Sequence, residues 1–492
     1  MKKFLFYITL FILIAAFSTT ASHFDNDLWA RLIAGMGVIE GGHVLTQDFL
    51  SYTPVHTWWD HEWGAGVIFY VFLKYFGSYS LIILQALLVF AIFFTASKVI
   101  KHRYNNPYNL LFYFFAIVTL MPMINTPIRC HLFSFLLFTV FIYILEKVRS
   151  GNDKLLFIIP AIVPIWNNIH GGIVSGIGLL LIYALGEFLN KKPFKKYIIT
   201  FLACCPLLFI NPWGYDYIKF ILMANTMPRP DITEWWNIFS KYHLAHYMGF
   251  KFFMLILITF EVCINIKQKN WAKIDKTKYI IILVTLYLAI SHVKLMPFFT
   301  ISALCFIYED FYELIKNIKI PAYKDKLVYG FILFLSLFTF LSKDFSVPSG
   351  IDIYPVKEVE FIKQNKLEGK IFANFNYGSY IAYKLYPYNT IYMDGRYEEV
   401  YYDYMLPLQK QFFLVLPQWQ LVLKLFKPDI MIIEKNYPVF EVLNKSKEWK
   451  LVYEGKGFGI FLPSIKANKN FIQPDNSEKY YKNNLFDTDI KF

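Results

Sequence analysis

The sequence predicts an α-helical polytopic membrane protein of about eleven transmembrane helices, with a small extracytoplasmic α/β domain at its C-terminal end. Three observations carry this expectation. Apolar stretches of roughly 17–22 residues recur through the first two thirds of the chain, long enough to cross a hydrocarbon core of about 30 Å. Lysines and arginines gather between alternate stretches, as they do in cytoplasmic loops. From about residue 342 the chain turns polar, and strand-like runs alternate with helical ones.

Composition sets the class. Of 492 residues, 56% are hydrophobic and 20% aromatic, too apolar for a soluble domain of that length. The formal net charge of +13 would suit nucleic acid, but the lysines sit in short clusters between apolar spans. Membrane sidedness accounts for them, and nucleic acid is not an expected partner. The five cysteines, Cys130, Cys204, Cys205, Cys263 and Cys305, lie in or beside predicted spans without CxxC spacing. They read as small packing residues, neither a disulfide framework nor a zinc site.

The predicted spans are 4–21, 79–100, 108–124, 132–145, 155–166, 173–189, 197–210, 247–266, 279–290, 296–315 and 327–341. The first also resembles a secretory signal; it is read as an uncleaved helix, and either reading exports the segment after it. With the N-terminus inside, the cytoplasmic loops hold Lys98/Lys101/Arg103, Lys147/Arg149/Lys154, Lys191/Lys192/Lys195/Lys196, Lys267/Lys269/Lys273/Lys276 and Lys316/Lys319/Lys324/Lys326. The outer loops hold only Arg31, Lys74, Arg129, Lys219, Arg229, Lys241 and Lys294. Segment 64–76 is apolar but short, and counting it as a crossing would reverse every later loop. It is therefore read as a re-entrant or interfacial helix.

This gives a transmembrane domain at 1–341, with a first outer loop at 22–78, and an α/β domain at 342–464. The tail at 465–492, rich in Asn, Lys and Asp, is predicted to be disordered. Within the α/β domain, strands are predicted at 370–375, 390–393, 429–433 and 457–462. Helices are predicted at 356–364, 401–413 and 419–426, with Pro407 kinking or restarting the second.

Chemistry-capable residues collect on the outer side, where every histidine except His102 falls. The first outer loop carries Asp25, Asp27, Arg31, Asp48, His61 and Glu62. Later outer segments carry Arg129 and His131, Asn168 and His170, Glu234, and His292 with Lys294. Ionisable groups at a membrane edge are costly unless they face a cavity or each other, so a shared outer pocket is the expectation. Individually, Asp25 suits a helix N-cap and Asp48 an Asx-turn. Asp394 and Arg396 suit a tight turn closed by their own ion pair. Jointly, carboxylates facing cationic groups suit sugar transfer from a lipid phosphate. A carboxylate takes the proton of the acceptor hydroxyl while cationic groups stabilise the leaving phosphate. The Asp25-x-Asp27 spacing can also hold a divalent metal, although two carboxylates do not define one.

Several motifs together carry a resemblance. Asp25-Asn26-Asp27-Leu28-Trp29 with Gly35, then Thr46-Gln47-Asp48-Phe49-Leu50-Ser51-Tyr52-Thr53 and His61-Glu62-Trp63, resemble a bacterial group of GT-C-type polytopic membrane glycosyltransferase-like proteins. The likeness continues through Asn168-Ile169-His170-Gly171-Gly172, Asn211-Pro212-Trp213-Gly214, Asn376-Tyr377-Gly378-Ser379-Tyr380 and Asp394-Gly395-Arg396. It implies a bacterial inner-membrane enzyme taking a sugar from a polyprenyl-phosphate donor to a glycan, lipid or protein acceptor. It also implies an acidic base in the first outer loop: Asp27 first, then Asp25, then Glu62. The remaining candidates, Arg31, His61, Arg129, His131, Asn168, His170, His292 and Lys294, are expected to bind donor phosphate or substrate. Ala30-Arg31 stands where the group has Trp-His, and Arg31 can serve phosphate in its place. The other reading is a non-catalytic or transport protein carrying lipid-linked glycans. Carriers place ionisable groups near the bilayer midplane, whereas here the acids lie in an outer loop.

Overall fold

Helix length decides which apolar stretches can span. The structure, a computed structural model, describes residues 2–18, 23–268, 274–317, 322–342, 347–351, 353–468, 470–475 and 477–492. The chain is mostly helical with a small C-terminal mixed sheet. Among the described residues, three helices are long and apolar enough to cross a membrane: Tyr79–Tyr104, His131–Arg149 and Met248–Ile266. The other apolar stretches form shorter pieces. Lys195–Cys204 gives way to a 3-10 turn, Cys205–Phe209, where Pro206 cannot continue the α-helical hydrogen bonding. A 3-10 turn at Asp153–Phe157 precedes Ile158–Ile169, which has Pro164 inside it. The span expected at 296–315 is divided into Met296–Phe306 and Tyr308–Asn317.

The chain divides into two compact units, Met1–Thr20 with Ile82–Phe345, and Ala21–Leu81 with Ser346–Phe492. In the first, apolar helix faces pack through aromatic edges, as where Phe6 meets Tyr113. Two arginines of the predicted cytoplasmic clusters turn inward. Arg149 bonds Glu187 at 2.9 Å and Asp275 at 2.8 Å, and Arg103 bonds the buried Glu146 at 2.6 Å. A second buried group joins Lys278 to Glu261 at 3.2 Å and to Asp310. Lys269, Lys273 and Lys319 of the predicted clusters lie outside the described residues.

The second unit contains the sheet. Strands β1 (Gly369–Ala373), β2 (Asn389–Ile391), β3 (Ile430–Glu434), β4 (Trp449–Glu454) and β5 (Phe458–Pro463) lie in the order β2-β1-β3-β5-β4. The first three are parallel, and β5 runs antiparallel to both β3 and β4. The helix expected at 401–413 restarts at Met405–Phe413 with Pro407 in its first turn, where a missing N–H costs nothing.

The first outer loop belongs to this unit, which moves the division expected after residue 341. Backbone pairing is the reason. Ser51 bridges Ile391 and Val55 bridges Tyr401. Four backbone bonds, Tyr52 N–H to Ile391, Ile391 N–H to Leu50, His56 N–H to Val400 and Trp59 N–H to Glu399, are each 2.9–3.1 Å long. The loop thereby covers the β2 edge, which would otherwise present unpaired backbone groups. Inside it, helices Leu28–Ile39 and Trp63–Phe76 pack through bare backbone, since a Cβ on Gly35 would strike the Gly66 carbonyl.

The tail departs from its expected disorder. Its described part contains the helix Glu478–Asn484 and buries Tyr481, Leu485 and Ile490. Lys384 donates to the carbonyls of Asn484 and Asp487 at 2.7 Å each, and Phe486 packs on Phe24 and Trp29. Composition marks the segment as polar, but a few apolar residues with a partner surface are enough to order it.

Candidate functional site

The acidic turn opens the helix Leu28–Ile39. Asp25 Oδ1 accepts the Asp27 backbone N–H at 3.1 Å, an Asx-turn, and its carbonyl accepts from Leu28 N–H at 3.2 Å. The N-cap position is Asp27, two residues later than expected, and its side chain makes no capping bond. Both carboxylates are partly exposed. Asp27 Oδ1 faces Gly395, where an added Cβ would lie 2.5 Å away. The carboxylate therefore sits against a position that tolerates only glycine without displacement.

Glu62, Arg31 and His61 enter a different arrangement. The buried Arg31 guanidinium pairs with Asp60, with Glu399 at 2.9 Å and with Glu62 at 3.3 Å. His61 Nδ1 lies 2.8 Å from Glu399 Oε1, and its Nε2 lies 3.7 Å from Glu62 Oε1. Trp58 donates its indole N–H to Glu399 at 3.2 Å. Burial would lower the His61 pKa, but Glu399 and Glu62 outweigh it and raise it to about 9. Burial pushes Asp60 up to about 6 against the pull of Arg31. Glu399, also buried, is held below its ordinary value by Arg31 and His61.

Donor atoms of His61, Glu62 and Glu399 lie within 4.8 Å of one another, a spacing that could hold a metal ion. Arg31 already engages both carboxylates and His61 bridges them, so an ion there would have to displace existing cations.

A second network lies behind the first. Arg396 bonds Asp48 at 2.5 Å and Asp394 at 2.9 Å, and all three side chains are fully buried. Its guanidinium stacks on Trp58 at 4.6 Å and reaches the Tyr401 hydroxyl at 3.2 Å. Asp48 accepts from Leu50 N–H at 3.3 Å and Ser51 N–H at 3.0 Å, the Asx-turn expected of it. Burial alone would raise the Asp48 carboxyl; Arg396 and these donors hold it down. Trp58 touches both networks, and together they fasten the loop to the Asp394-Gly395-Arg396 turn. Sequence reasoning left Asp60, Glu399 and Trp58 out of the site. Asp60 and Trp58 adjoin His61-Glu62, but Glu399 lies over 300 positions away, three residues after the Asp394-Gly395-Arg396 motif.

The other candidates lie in the first unit. Arg129 makes a two-pronged pair with Glu234, at 2.7 and 3.1 Å. Burial would raise the Glu234 carboxyl, but Arg129, then Lys294 and His131, hold it at about 2. Arg129 and Lys294 thus both act on the Glu234 carboxylate. Lys294 and Arg229 approach the Trp235 ring at 5.4 and 4.4 Å, and His292 Nδ1 lies 2.6 Å from the Trp235 carbonyl. His170 Nδ1 accepts the Gly172 backbone N–H at 2.9 Å and meets the Ser134 hydroxyl at 2.8 Å. That acceptor role leaves the ring proton on Nε2. Asn168 donates to the Pro164 and Ile210 carbonyls, tying together two chain segments.

The sequence candidates thus divide into a part-exposed acidic turn and a buried ion network in one unit, and a cluster around Glu234 and His170 in the other. No protein-family model matches the chain, and a search of curated proteins likewise finds no match.

Proposed function

We propose that the chain is a GT-C-like glycosyltransferase of a bacterial inner membrane, with about eleven membrane passages. Its N-terminus is cytoplasmic and its α/β domain extracytoplasmic. It takes a sugar from a polyprenyl-phosphate donor to a glycan, lipid or protein hydroxyl. Asp27 is the base, with Asp25 supporting it through the Asx-turn. The acceptor O–H proton passes to the Asp27 carboxylate as the oxygen attacks the anomeric carbon. The bond from that carbon to the phosphate oxygen breaks, and its electron pair leaves on the phosphate. Glu62, His61 and Arg31 hold the loop in place and are not assigned a reacting atom.

One observation supports this reading most. The Asp25–Asp27 turn stays partly exposed at the start of the helix Leu28–Ile39, with the Asp27 carboxylate set against Gly395. The test is release of polyprenyl phosphate from defined donor sugars in proteoliposomes, comparing wild type with Asp25→Asn and Asp27→Asn. Loss in Asp27→Asn supports the assignment, and full transfer in both variants refutes it.

A second reading, a carrier of lipid-linked glycans on the same scaffold, draws on the buried Glu261–Lys278–Asp310 group. Buried ionisable groups in apolar helices are a hallmark of transport pathways. Under that reading donor lipid crosses the bilayer without cleavage, and Lys278→Met abolishes the movement.

A further inference from the structure

The parallel strands of the sheet contain a topological switch point. From β1 the chain moves to β2 on one side and later to β3 on the other, so the strand order reverses between β1 and β3. Open α/β sheets bind ligands at such a switch point, outside the carboxyl ends of the strands. At those ends stand Asn374, immediately after β1, and Glu434, the last residue of β3.

The side chains there are built for hydrogen bonding. Asn374 Nδ2 donates to Glu434 Oε1 at 3.0 Å and to the Tyr437 hydroxyl at 3.3 Å, while its Oδ1 accepts Asn376 N–H at 3.1 Å. Gln409 braces the turn by donating to the Ala373 carbonyl and accepting Phe375 N–H, both at 2.9 Å. Glu434 is only 7% exposed, yet its Oε2 meets no donor from another described residue. A buried acceptor left open is costly, and a native fold retains one where something else supplies the donor. Tyr377 and Tyr437, both half-buried, lie close enough to Glu434 to feel its charge.

We propose that Asn374, Glu434, Tyr377 and Tyr437 form a saccharide-binding site in the α/β domain, distinct from the acidic turn. A sugar hydroxyl donates to Glu434 Oε2, Tyr437 presents its phenol to a neighbouring hydroxyl, and the tyrosine rings flank the apolar face of the ring. Aromatic rings beside a carboxyl and an amide match a polyol of this kind. Binding requires no transfer, so the site stands or falls independently of the reaction proposed above.

The experiment is saturation-transfer NMR on the full chain in lipid nanodiscs, which avoids sugar-headed detergents. Glucose, galactose and N-acetylglucosamine serve as separate probes. At least one is expected to bind, with affinity falling about tenfold or more in Glu434→Gln and in Tyr377→Ala. The melting temperature of Glu434→Gln is expected to hold or rise, because a site residue carries an unmet polar group that the fold does not need. Absence of binding by all three sugars overturns the proposal, as does equal binding by wild type and both variants. If Glu434→Gln fails to fold, Tyr377→Ala and Tyr437→Phe decide on the same criterion.

Discussion

Replacing Arg396 with methionine isolates the contribution of the inner ion network. The substitution keeps much of the side-chain volume and the contact with Trp58 but removes the charge. Asp48 and Asp394, both fully buried, are then left without their common partner. Breaking a buried pair from one side costs about 3–5 kcal/mol, against about 0–1 kcal/mol for an exposed pair such as Lys466–Asp429. The loss should fall on the pairing between residues 50–59 and 389–401, which Arg396 fastens. Hydrogen exchange on the full chain in nanodiscs reads this directly, and 3 kcal/mol corresponds to roughly hundredfold faster exchange at Tyr52, His56 and Trp59. Adding Asp48→Asn should recover part of the loss by removing one stranded charge. The deficit should also shrink in acid. Arg396 holds the Asp48 carboxyl below its ordinary value, so this stabilisation is present above about pH 4 and fades as pH falls through the lowered folded value. Exchange within about twofold of wild type would refute the view that these residues hold the loop.

Three further outcomes are expected. His61, raised to about 9 between Glu399 and Glu62, stabilises the fold fully below about pH 6.5 and less as pH climbs through 9. The melting temperature should therefore drop across that window in wild type and stay flatter in His61→Gln. Gly66→Ala forces a methyl against the Arg31 carbonyl and should destabilise the Leu28–Ile39 and Trp63–Phe76 pair by about 1–3 kcal/mol, measured by thermal unfolding. Gly395→Ala should displace the Asp27 carboxylate and reduce sugar transfer while leaving the melting temperature close to wild type.

Local signals in the sequence were legible where one residue's chemistry dictates its surroundings. Asp48 announces an Asx-turn and Asp394-x-Arg396 a self-paired turn, and both form. The helix Val356–Gln364 falls where its pattern places it. β4 was not foreseen, because Trp449–Glu454 mixes charges into an edge strand whose identity depends on pairing with β5. Span length was overestimated where hydropathy persists across a helix break, as at Cys204–Cys205. The deeper gap is long-range. Nothing near Glu399 or Arg396 in sequence says that they bond the first outer loop, so residues that look like one set on paper divide between a buried ion network and a part-exposed acidic turn. Glu62 and Asp27 are similar carboxylates in similar motifs, and only their neighbours separate them.

The most direct measurement is the single-turnover rate of sugar transfer by Asp27→Asn, in protein whose melting temperature and loop protection match wild type. The account expects a fall of about 10²–10⁴-fold with the fold intact, the loss expected when a positioned base is removed. A wild-type rate in folded Asp27→Asn would contradict it.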